Sequence, residues 1–89
     1  MPKVVFTHAV QDRDRWQQGK AERAAAIEQG TGSNVTDYVA QDGSNNVAIT
    51  ADVADPGAME AMLASPPQDM MDAMEAHGVV QPITVYIES

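Results

Sequence analysis

The chain has 89 residues, and its five Lys or Arg against thirteen Asp or Glu give a formal net charge of −8, which fits one acidic domain over residues 1–89. That balance argues against nucleic acid and against an anionic membrane surface as partners, because both need clustered cations. With no cysteine there is no disulfide or thiolate chemistry; no apolar run nears the ~20 residues of a membrane span or the length of a signal peptide, so a soluble cytoplasmic protein is expected.

Residues 3–10 are β-branched and aromatic with a partial period of two, which predicts a strand with Val4, Phe6, His8 and Val10 on one face. Asp12 can cap a helix and Asp14 suits its positive end, so one helix over about 13–29 follows, stopped by Gly30 and Gly32. Residues 34–41 read as a second strand, Asp42 to Asn46 as a hairpin loop, and residues 47–53 as its antiparallel partner. Asp55 before Pro56 starts a helix to about Ala64. Ser65 and the Pro66-Pro67 pair break it, and a second segment, entered at Ser65 or Pro66, runs to about Ala76. Gly78 stands where a left-handed cap residue would. Residues 79–88 form the last strand, with Pro82 pointing to a strand end or an edge.

Strand, helix, strand, strand, helix, strand is the ferredoxin-like α+β order: a four-stranded antiparallel sheet with its helices on one face. In that fold the first strand lies centrally beside the third and fourth, with the second at an edge. Parity then leaves Thr7, Thr36, Tyr38, Thr50, Thr84 and Tyr86 on the other face. A chain this short buries only about 60% of its unfolded surface, so a second copy packed there would extend a thin core.

The more apolar face holds Phe6, Val35, Val39, Val47, Ile49, Ile83 and Val85, with His8 and Asp37 as its only ionisable groups. Histidine exchanges a proton near neutral pH and a carboxylate can orient it, so His8 and Asp37 are the candidate catalytic pair. Two inter-strand steps would separate them by roughly 9 to 10 Å, room for a substrate or waters but not for a direct bond. The plainer alternative is a core histidine bonded to the first helix or to Trp16, with Asp37 facing solvent at the sheet edge. Trp16, the only tryptophan, is either a pocket wall or an anchor whose indole N–H finds a carbonyl. On its helix Arg23 interrupts the stripe Trp16, Gly19, Ala24, Ile27 and must snorkel or pair; a carboxylate ligand for it is the bolder reading. Met59, Met62, Met70, Met71 and Met74 could floor a plastic apolar pocket or simply be core. His77 at a helix exit suits the C-terminal carbonyls, or serves as a second acid-base group at the pocket mouth. Two distant histidines without cysteine support no metal site.

Where the first strand enters the first helix, the pattern His-x-Val-x-Asp-x-Asp-x-Trp stands as His8, Val10, Asp12, Asp14 and Trp16. With Ala64-Ser65-Pro66 and Gly78-Val79-Val80, it resembles the dimeric α+β barrel superfamily: antibiotic-biosynthesis monooxygenase-like, EthD-like, muconolactone isomerase-like and small cyclase-like proteins, most nearly their small uncharacterised members. The chain departs from them at Gly19 and Lys20, where bulky apolar side chains are expected. The resemblance implies a homodimer with ligands held between the helices and the sheet. It favours a cofactor-independent monooxygenase, isomerase or cyclase acting on an apolar or aromatic small molecule. The site would comprise His8 and Asp37, lined by Phe6, Trp16, Ile49, Met62, Met71, Met74, His77 and Val85. A non-catalytic hydrophobic-ligand or stress-related dimer is the alternative. A haem-handling role ranks last, since no residue is placed to ligate iron.

Overall fold

The alternating pattern of β-branched residues and the two aspartate caps are realised in a computed structural model that describes residues 2–29 and 32–89. The elements are β1 (Lys3–Val10), α1 (Arg13–Gln18), α2 (Lys20–Gln29), β2 (Gly32–Val39), β3 (Asn46–Val53), α3 (Pro56–Ala64), α4 (Gln68–Ala76) and β4 (Val79–Ile87). Asp12 caps α1 by accepting from the amides of Asp14 and Arg15, at 3.0 and 3.3 Å. Asp55 caps α3 through the Ala58 amide at 3.1 Å. Each carboxylate satisfies amides that have no partner inside the helix.

The strands form one antiparallel sheet in the order β2-β3-β1-β4. This is the ferredoxin-like α+β arrangement expected from the chain order. Pro82 lies in edge strand β4, where a missing ladder donor is tolerated. One face of β1 and β3 supplies most of the core: Val4, Phe6, Val10, Val47, Ile49, Ala51 and Val53 pack with Trp16 of α1 and Met59 of α3. Pairing aligns Val85, Phe6, Ile49 and Asp37 in one row across that face. The opposite face carries the row Tyr86, Val5, Thr50, Thr36 and the row Thr84, Thr7, Ala48, Tyr38. Tyr38 and Tyr86 are 49% and 57% exposed.

Three local expectations need correction. The helix expected over 13–29 is two helices, because the chain breaks at Gly19, whose amide turns back to the Trp16 carbonyl. Gly32 begins β2 instead of ending a helix, so that strand runs two residues earlier than expected; Gly30 lies outside the described residues. The cap of α4 is Pro67, without a side-chain hydrogen bond, and neither Ser65 nor Pro66 opens that helix. Gly78 does adopt the left-handed conformation, with φ at +72°. No helix among the described residues is long and apolar enough to cross a membrane.

Candidate functional site

His8 points to the helix-covered side of β1 and, at 8% exposed, is the one polar residue buried as a whole among the described residues. It sits where the β1–β4 pairing slips between Thr7 and Ala9, opposite the stretch of β4 that contains Pro82. Its Nδ1 lies 2.8 Å from the Ala9 carbonyl, an acceptor only, so Nδ1 carries the proton and donates. Nε2 is then the free lone pair, with no hydrogen bond among the described residues. The ring meets Trp16 edge to face, with centroids 6.2 Å apart. Burial holds its pKa below the ordinary 6.5, the Ala9 bond opposes this, and the nearby Arg23 charge lowers it further. The result is a neutral imidazole with an open base nitrogen.

Asp37 takes a different partner from the one its parity suggested. Its Oδ2 accepts from Arg23 Nη2 at 2.6 Å, with the side chains only 8% and 10% exposed. Asp37 therefore neither faces solvent nor pairs with His8; Arg23 of α2 reaches across to β2 and claims it. The Arg23 guanidinium carbon stands 4.0 Å over the Trp16 ring, within the range of a cation–π contact. Its Nη1 donates to the Trp16 carbonyl at 3.0 Å and to His77 Nδ1 at 3.4 Å. Three atoms of this cluster, Trp16 Nε1, Arg23 Nε and Asp37 Oδ1, are buried without any hydrogen-bond partner among the described residues. The carbonyl expected for the indole N–H is absent.

His77 closes the cluster from the end of α4. Since Nδ1 accepts from Arg23, Nε2 bears the proton and donates to Glu22 Oε2 at 3.4 Å. The ring lies on Gly19, where a Cβ would come within 2.6 Å of Nε2. The departure at Gly19 thus makes room for an imidazole. The terminal carbonyls of α4, expected to attract His77, are held instead by Arg15, which donates to Ala76 and Glu75 at 2.7 and 2.8 Å.

The remaining candidates divide. Phe6 and Ile49 are core residues beneath the cluster, and Val85 packs half-buried against them. Met62 is half-buried on α3. Met71 and Met74 line a separate cleft of about 350 Å³ between α4 and β4, with Gln11, Arg15, Pro66 and Val79. That cleft does not include His8, Trp16 or Asp37. Arg23 is the residue whose importance the sequence understated; the signal was an arginine inside an apolar stripe facing the side of the sheet that carries one acid, Asp37. No group of three or more His, Cys, Asp or Glu able to hold a metal occurs among the described residues.

With this geometry the chain has the fold of the antibiotic biosynthesis monooxygenase-like proteins. One such monooxygenase superposes with a TM-score of 0.66 at 15% identity, covering 100% of this chain and 97% of the other. A protein of Bordetella bronchiseptica assigned to the same class gives 0.70 at 10% identity, covering 99% and 94%. SnoaB, a cofactor-independent oxygenase from Streptomyces nogalater, gives 0.66 at 17% identity, covering 96% and 89%. At such identities the likeness is one of fold. No family model matches the sequence, and no curated protein matches it.

Two outcomes follow from the packing. Gly19→Ala is expected to cost about 1–3 kcal/mol in urea unfolding, because the methyl collides with the His77 ring. In a His77→Ala background the same change becomes neutral or stabilising, since a φ of −85° suits any residue. Because the folded His8 pKa lies below 6.5, the unfolded chain binds the proton more readily. Stability is therefore full above about pH 6.5 and falls as pH drops toward the folded value. Unfolding at pH 7.5 and 5.5 checks this: His8→Gln should lose less stability on acidification than the wild-type chain.

Proposed function

We propose that the chain forms a homodimer and acts as a small cofactor-independent enzyme of the oxygenase, isomerase or cyclase type. Its substrate is an apolar or aromatic small molecule held between the helices and the sheet. The observation that carries this reading is His8: a buried neutral imidazole with Nδ1 committed to Ala9 and Nε2 open beside Trp16. A base held neutral by its surroundings removes a proton at pH 7 without first losing one. The row Val85, Phe6, Ile49 supplies an apolar floor, His77 closes the cluster from the end of α4, and Met71 and Met74 belong to the separate α4–β4 cleft. Asp37 serves by holding Arg23 in place, and the unpartnered N–H groups of Arg23 and Trp16 are the donors offered to the oxygen on which charge develops after deprotonation. In the oxygenase case that anion reduces dioxygen itself. A ring CH2 becomes C=O, the second oxygen atom leaves as water, and the substrate supplies all the electrons. The fold shared with a cofactor-independent oxygenase supports this class. The test is oxygen uptake with hydroxylated aromatic compounds in flavin-free and metal-free buffer. Turnover that falls by about 10²–10⁴ in His8→Gln is the expected result, and turnover indifferent to that change removes the assignment.

A non-catalytic ligand carrier is the second reading. The separation of the α4–β4 cleft from His8 favours it. Saturable ligand binding with no turnover of any compound would establish it.

The homodimer rests on the exposed sheet face, where Tyr38, Thr36, Thr84 and Tyr86 surround the half-buried Val5, Thr7 and Thr50. Such a face of small, β-branched and aromatic side chains suits a second copy of itself. Light scattering should give about 19 kDa, twice the 9.5 kDa of one chain. Val5→Asp, placing a charge in the middle of that face, should return the 9.5 kDa species.

A further inference from the structure

The three unpartnered atoms of the Trp16, Arg23 and Asp37 cluster are complementary in kind: two N–H donors, on Trp16 and Arg23, and one acceptor, on Asp37. They belong to side chains that are about nine-tenths buried or more. Nε and Nη2 share one edge of a guanidinium, the edge that normally grips both oxygens of a carboxylate. Here only half of that fork is made: Nη2 holds Oδ2 at 2.6 Å, while Nε–H and Oδ1 stay apart. A hydroxyl is the smallest organic group that bridges a donor and an acceptor of this kind, accepting from Nε–H and donating to Oδ1. The indole N–H is a further donor for the same oxygen or for a second acceptor next to it. The charges of Arg23 and Asp37 cancel, so an anion would find one repelling partner for each attracting one.

We propose that Arg23, Asp37 and Trp16 form a recognition site for the hydroxyl group of an uncharged small molecule. This deepens the reading of the helix-covered face as a ligand site and rests on it. Entry is through α2. The Arg23–Asp37 pair fastens that helix to β2, while none of its residues is fully buried, so a ligand enters by local opening at the helix edge with the pair kept.

The experiment is ¹⁵N NMR of the full chain. The sole tryptophan gives one indole N–H signal, and Arg23 Nε–H gives a second reporter. Phenol, anisole and benzoate are the probes: a hydroxyl, the same ring with an acceptor only, and the same ring as an anion. Phenol should shift both signals saturably. Anisole should bind at least about tenfold more weakly, because it leaves Asp37 Oδ1 unpartnered in a buried place. Benzoate should also bind more weakly than phenol, and Asp37→Asn should reverse that order by leaving the Arg23 charge uncompensated. Affinities for phenol and anisole within twofold of each other would overturn the proposal, as would signals unmoved by phenol at tens of millimolar. The enzyme reading fails separately: hydroxyl-selective binding with no turnover sinks it and leaves this site standing. His8-dependent turnover with no preference for phenol over anisole does the reverse.

Discussion

Arg23 joins more of the molecule than any other side chain. Its guanidinium rests on Trp16 of α1, donates to the Trp16 carbonyl, pairs with Asp37 of β2 and reaches His77 at the end of α4. The helix that carries it, α2, contributes no fully buried residue, and Ile27 is its chief apolar contact with the core. The ion pair therefore does much to seat α2 on the sheet. Such a pair is an expensive way to do so. Desolvating both charges offsets most of their attraction, and apolar residues of the same volume would serve stability as well or better, whereas removing one partner alone costs about 3–5 kcal/mol. A pair that adds little net stability, and that leaves three of its neighbourhood's polar atoms unpartnered, is better accounted for by what it presents to a ligand than by what it holds together.

Burial governs His8, and the Arg23 charge acts in the same direction. Burial and Arg23 both disfavour a second positive charge on the imidazole, and the Ala9 carbonyl fixes which nitrogen keeps its proton. Packing and electrostatics thus converge on one protonation state and one tautomer, which decides that Nε2 accepts. Were Asp37 free to approach His8, it would raise the pKa and favour imidazolium. Its engagement by Arg23 removes that influence and leaves burial to hold the base neutral, so the two acid-base candidates are linked through one arginine.

What could be read from the chain was local. Strand parity, the two aspartate caps, the hairpin and the Gly78 cap each depend on a few consecutive residues, and each is present. The break at Gly19 depends on a ring 58 residues downstream, since only the packing of His77 onto that glycine explains why no side chain stands there. The cluster lay between these extremes. Asp37 stood out as the acid on an apolar face and Arg23 as the base in an apolar stripe, yet each was weighed alone. Two opposite charges on surfaces that the fold presses together must pair, because neither can be buried without the other. Applied across β2 and α2, that constraint selects Asp37 for Arg23 and leaves His8 unpaired.

The net charge of −8 takes on a sharper meaning in this light. Acids such as Asp12, Asp14, Asp42, Asp55, Glu60, Asp69 and Asp72 are exposed, where water screens them and where they cap helices or keep the surface soluble. Asp37 is the acid whose side chain lies buried beside the candidate base, and it arrives with its counter-charge attached. Around His8 the field is therefore set by a neutral pair and an indole, and the excess charge lies at the surface. A polar, uncharged interior beneath an acidic exterior disfavours anions, which the surface charge repels and which the paired interior does not compensate for losing water. Neutral molecules that can exchange hydrogen bonds with the cluster meet neither obstacle.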